Sequence, residues 1–186
     1  MKFFFKVVLL LCTFFCYSTL SAKDKLPGTP LECDTVIQCP GVDAEQIYNN
    51  LRVWFADNMR SSNDVIQLDD SANKHIIGKT NIPLNVNNMT WRCLTGVIRF
   101  TIDVAARDGR FRLKMSDFSH ESFTNGWTEG IVYVNGPNPN IKGLRKKQNS
   151  EMQKRAIPLC IDNMAMIIAT MQDVVANKTS VSDGDW

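Results

Sequence analysis

The stretch LTGVIRFTIDVAARDGRFRLKMSDF, residues 94–118, decides the fold. Asp108-Gly109 sits near its centre, a dipeptide suited to the paired positive φ angles of a type I′ hairpin turn. With Arg107 facing Arg110 across a two-residue bend, Val104 faces Leu113, Ile102 faces Met115 and Ala106 faces Phe111. Each of these three pairs is apolar on both sides. The other face sets Asp103 against Lys114 and Thr101 against Ser116. One loop length thus sorts both strands into a buried side and a wet side, and a slip of one residue would undo both. The pattern specifies a sheet with one covered face. It carries no catalytic or cofactor motif.

Outward from the hairpin, the chain start is the next informative region. Residues 1–22 hold Lys2 and Lys6, an apolar run from Val7 to about Tyr17, then Ser-Thr-Leu-Ser-Ala. That is the layout of a secretory signal peptide cleaved after Ala22. The apolar run is short for a membrane span, and Phe15 before Cys16 does not fit a lipoprotein signal. The reading is export to the periplasm or the extracellular space, with no transmembrane span after signal removal. Loss of Lys2 and Lys6 takes the 21 basic residues to 19, equal to the 19 acidic ones. A neutral chain exerts no general pull on nucleic acid or anionic membrane. Nucleic acid is therefore not an expected partner.

Four cysteines remain: Cys33, Cys39, Cys93 and Cys160. An oxidising compartment permits disulfides, and buried free thiols are the alternative. Cys33 and Cys39 flank an extended run, too far apart to join each other. There is no Cys-x-x-Cys, and only His75 and His120 are on hand for a soft metal, so no zinc site or other cofactor is expected.

Residues 23–32 read as a flexible leader, 33–178 as a single α+β domain and 179–186 as a frayed tail. Residues 35–38 form a short strand ended by Pro40-Gly41. Asp43 with Gln46 makes a capping box, and Ile47, Tyr48, Leu51, Trp54, Phe55 and Met59 recur at helical spacing up to about Arg60. Two strands follow, 64–68 and 74–80, joined by a polar turn holding Asp69-Asp70. Gly78 inside the second signals a bulge or a close backbone approach. After the central hairpin, residues 119–149 show strand character only at 130–134. Ser150 and Gln153 form a second capping signature, opening an amphipathic helix over 151–177. Pro158 within it predicts a kink or two helices meeting.

The order β-α-β-β-β-β-α, with both helices apolar on one stripe, gives a two-layer α+β domain: a curved antiparallel sheet with two helices on one face. Val36 to Pro40-Gly41, the helix from Asp43 to Met59, Asp69-Asp70, Ile76-Ile77-Gly78-Lys79 and Asp108-Gly109-Arg110-Phe111-Arg112 resemble the domain of unknown function 4468 family. These are secreted Bacteroidota proteins described as having a TATA-box-binding-protein-like (TBP-like) fold. The resemblance covers 35–118 closely and the last helix loosely. It brings no activity and no functional residue. It does imply a sheet face uncovered by helices.

On that face lie Arg99, Thr101, Asp103, Arg112 and Lys114, while Arg110 beside the turn is placed on the other parity. The leading expectation is a non-enzymatic module that uses this face, or its loops, to bind an envelope protein, a glycan or a small ligand. A glycan-binding accessory role rests on Trp91, Trp127 and Tyr133 as aromatic platforms. An enzyme would need a serine or cysteine nucleophile beside a base, His75 or His120, and the cluster Ser119-His120-Glu121 is the place to look for one.

Overall fold

The computed structural model describes residues 28–59, 65–124, 128–136, 138–143 and 145–177. The expected signal and tail therefore lie outside the described residues. The strands are β1 (Thr29–Pro30), β2 (Cys33–Gln38), β3 (Val65–Asp70), β4 (His75–Leu84), β5 (Gly96–Arg107), β6 (Arg110–Ser122), β7 (Gly130–Ile131) and β8 (Tyr133–Val134). The helices are α1 (Ala44–Asn58) and α2 (Arg145–Asn177), with a short 3-10 helix at Met89–Leu94.

The main sheet is antiparallel in the order β2-β6-β5-β4-β3, with β7 continuing β2's side of β6. β1 and β8 make a separate two-stranded ribbon. In the central hairpin Arg107 pairs with Arg110, Val104 with Leu113, Ile102 with Met115 and Ala106 with Phe111, the register expected from the sequence. The bend itself differs. Only Gly109 takes a positive φ, +72°, so this is not a type I′ turn. The reason is tertiary. The Gly109 N–H donates to the Val42 carbonyl, and the Cys39 N–H donates to the Gly109 carbonyl. The Ala44 N–H donates to Asp108 Oδ1 at 2.8 Å. The turn is thus fastened to the start of α1, whose own cap is Asp43, accepting from the Gln46 N–H at 2.7 Å.

Both helices cover one face of the sheet. Ile47, Tyr48, Leu51, Trp54 and Phe55 of α1 join Met152, Cys160, Met164, Met171 and Val175 of α2 over Ile98, Ile102, Val104, Leu113 and Met115. Tyr48 and Trp54 are core residues, as their spacing predicts. The Trp54 indole N–H donates to Thr170 Oγ1 and ties the helices together. Gly78 marks a close approach: a Cβ there would lie 2.8 Å from Phe55 and 2.9 Å from Met59. Gly96 is tighter still, because its Cβ would fall on the Glu121 carbonyl oxygen.

Three expectations are corrected. The leader is not loose throughout: Thr29–Pro30 pair with β8, and Leu31 is buried with its N–H on the Val132 carbonyl. Ser150 and Gln153 do not cap a helix, since α2 already begins at Arg145. Gln153 instead clamps the β7–β8 segment, accepting from the Tyr133 N–H and donating to the Ile131 carbonyl. Pro158 lies inside one helix, on its exposed side, where water can take the carbonyl that proline leaves free. Among the described residues α2 is also the helix long and apolar enough to cross a membrane; its buried stripe belongs to this core. The four cysteines Cys33, Cys39, Cys93 and Cys160 are unpaired thiols.

Candidate functional site: the open face of the sheet

Strand alternation places Arg99, Thr101 and Asp103 of β5 on the side away from the helices, with Lys114 of β6 opposite Asp103 and Arg112 opposite Ala105. The described parts of 119–149 do not fold over this face. They lengthen β6 and add β7 at its side. Val36 of β2 is 51% exposed there, an apolar side chain in open view.

The charges on the face are mostly matched across strands. Arg112 grips Asp34 with two bonds, Nε to Oδ1 at 2.8 Å and Nη2 to Oδ2 at 2.5 Å. That hydrogen bonding holds the Asp34 carboxyl below its ordinary range. Arg99 pairs with Glu121 and lowers that carboxyl in the same way. His75 Nε2 sits 2.7 Å from Asp103 Oδ1, and Lys114 lies 4.0 Å from Glu32. The five residues singled out from the sequence share a face but not a single point. Their acidic partners Asp34, Glu32 and Glu121 were not among them.

Two shallow hollows break the surface. One of about 250 Å³ lies among Lys79, Arg99, Thr101 and Asp117. The other, about 300 Å³, lies at the hairpin end among Val36, Ala105, Arg107, Arg110 and Arg112. Arg110 therefore stands on the same side as Arg112, not on the opposite parity. Counting by twos back from Arg112 finds it, and Arg107 is its cross-strand partner.

The Ser119-His120-Glu121 cluster does not converge. Asp117, at φ +60°, bulges β6 and reverses its alternation, so Phe118 and His120 turn into the core while Glu121 is exposed. His120 is 0% exposed. The Glu129 N–H donates to its Nδ1 at 3.2 Å, which leaves Nε2 as the protonated nitrogen, 2.9 Å from the Leu94 carbonyl oxygen. Both ring nitrogens are committed to backbone, and burial pushes the pKa below its usual value. Neither nitrogen is free to take a proton from a substrate. The neighbouring Glu129 carboxylate is buried too, with Arg145 at 3.7 Å, and burial raises its pKa.

The aromatic platforms dissolve in the same way. Tyr133 is buried and Trp91 half-buried against the core, with Lys147 over its ring. Trp127 lies outside the described residues. Asp69-Asp70 is more than a solvated turn. Tyr48 Oη–H donates to Asp69, which also accepts from Arg52 Nε at 2.9 Å, and Asp70 accepts from the N–H groups of Ala72 and Asn73. Among the described residues no three His, Cys, Asp or Glu side chains are grouped as metal ligands.

Residues 34–121 match the family described as "Domain of unknown function (DUF4468) with TBP-like fold". The fold is similar to that of a TBP-like protein from Parabacteroides distasonis, with a TM-score of 0.59 at 11% identity over 80% of this chain and 94% of that one. It is also similar to a DUF4468 family protein from Bacteroides ovatus, with a TM-score of 0.54 at 14% identity over 77% and 86%. At these identities the likeness concerns fold alone. No curated protein matches the chain.

Proposed function

We propose that this chain, which carries a DUF4468 domain with a TBP-like fold, is an exported non-enzymatic module that binds a partner or ligand on the open face of its sheet. The observation that carries the reading is the uncovered face itself. Among the described residues, none covers the side of β5 and β6 bearing Arg99, Thr101, Asp103, Arg112 and Lys114, while both helices and the core lie on the other side. Charged side chains paired across strands keep such a face soluble, and the exposed Val36 gives it an apolar contact point. His120, one of the two histidines an enzyme reading offered as a base, is sealed by backbone partners. The glycan reading loses Tyr133 and Trp91 to packing.

Photo-crosslinking in the native cell envelope tests this. A photoreactive residue at Thr101 is expected to give a discrete adduct, and one at Ile161 on the exposed side of α2 is not. No adduct from Thr101, or an equal yield from both positions, overturns the reading. Fractionation of the cells reports in the same experiment whether the chain leaves the cytoplasm.

A further inference from the structure

We propose that the hollow formed by Arg107, Arg110 and Arg112 at the hairpin end of the open face binds the dianionic phosphate of a small, soluble phosphomonoester. The inference rests on the open-face reading and gives its ligand a chemistry.

The basic residues of β5 and β6 divide into two groups. Arg99, Arg112 and Lys114 each stand near a carboxylate. The side chains of Arg107 and Arg110 make no ion pair or hydrogen bond to another described residue, although the register sets them directly opposite each other. Like charges directly across an antiparallel pair disfavour folding. With Lys2 and Lys6 removed the chain has as many acids as bases, yet no described carboxylate pairs with Arg107 or Arg110. An anion between the two guanidinium groups turns that repulsion into two sets of charge-assisted bonds.

Size and charge narrow the class. Ala105 is the small residue among long ones, and its short side chain with Val36 leaves the floor apolar and the space open. About 300 Å³ is the low end for a ligand site, enough for a phosphate and a compact organic group but not for a large molecule. Three guanidinium groups line or border the hollow, and Asp34 neutralises one of them. Asp108 turns Oδ1 to the Ala44 N–H, and Asp103, beside His75, adds to the negative field on Arg112 rather than pairing with Arg107 or Arg110. Arg107 and Arg110 are thus the two cations of the hollow that no described carboxylate pairs with. A phosphomonoester carries close to two negative charges at neutral pH, whereas a carboxylate or a sulfate monoester carries one.

The test uses the mature chain with glucose 6-phosphate, glucose 6-sulfate and vesicles containing phosphatidic acid, read by calorimetry and co-sedimentation at low salt. Glucose 6-phosphate is expected to bind, and the sulfate to bind about tenfold more weakly or not at all. Arg107→Gln and Arg110→Gln should each weaken binding by about tenfold. Lys142→Gln, the same charge change on a distant exposed loop, should leave binding unchanged. Ala105→Leu fills the hollow without altering charge and should abolish binding. Equal affinity for the sulfate, retention by the vesicles in place of the soluble ester, no binding of glucose 6-phosphate, or indifference to Arg107→Gln and Arg110→Gln would each overturn the proposal. The Thr101 crosslink separates the two readings. An adduct that survives in Arg107→Gln/Arg110→Gln, together with absent phosphate binding, sinks the anion site and leaves the open face standing.

Discussion

Leu113 and Arg112 are neighbours on β6, yet they belong to different physical regimes. Leu113 is fully buried beneath the helices, and its strand partner Val104 is buried with it. Arg112 stands on the open side with 60% of its side chain exposed, held by Asp34. The two sides of one hairpin teach different things. On the helix side, position is dictated by apolar burial and close packing, which ionic screening does not weaken and which are unforgiving of shape. On the open side, charges pair in water, where ion pairs contribute little to stability and leave residue choice free for binding.

The contrast breaks most sharply at Gly96. A Cβ at this position meets the Glu121 main chain, which cannot move without unpairing the hairpin. Gly96→Val should therefore cost at least about 4 kcal/mol, near the extreme for single substitutions, or prevent folding in a urea titration. Leu113→Ala should cost about 2–5 kcal/mol, the range for emptying a core position.

His120 sharpens the comparison because it is polar yet lies on the buried side. His120→Phe leaves the Leu94 carbonyl and the Glu129 N–H without partners, at about 2 kcal/mol in all. It also predicts a pH signature. Burial lowers the folded-state pKa below the reference 6.5, so the unfolded chain takes up the proton first on acidification. The stabilisation is present above about pH 6.5 and is lost as pH falls through the folded value. The stability gap between the native chain and His120→Phe should narrow from pH 7 to pH 5, and a constant gap would contradict the buried neutral imidazole.

Smaller effects belong to the rim and the open side. Asp108→Ala removes the acceptor for the Ala44 N–H and should cost about 1 kcal/mol, as loss of a helix cap does. Arg112→Gln should move the urea midpoint too little to resolve, even though it breaks two hydrogen bonds to Asp34. A large loss for Arg112→Gln would mean that the open side contributes to stability as the core does, and the distinction would fail.

The helix side was legible because apolar alternation has one physical cause and a fixed period. Ile102, Val104, Leu113 and Met115 could be paired from the sequence through the two-residue bend alone. The turn type was not legible, since Val42, Cys39 and Ala44, far off in sequence, set its geometry. The bulge at Asp117 left a trace that a strict period misses. The apolar residues run at odd positions through Met115 and then shift to Phe118. Gln153 looked like a capping partner because its spacing from Ser150 fits, but its amide serves a strand that only the fold brings near. The five open-face residues were found as a side of a sheet. Their counterions were not, because Asp34 on β2 lies 78 positions from Arg112.

Ala105 and Ala106 offer the most direct measurement, since they are adjacent methyl groups of the same chemistry on opposite sides of β5. Ala106 is buried and Ala105 lines the open hollow. In methyl NMR with a soluble paramagnetic agent, the Ala105 signal should broaden strongly while Ala106 stays sharp. Equal broadening would contradict the sealed core, and equal protection would mean that the face proposed for binding is already covered.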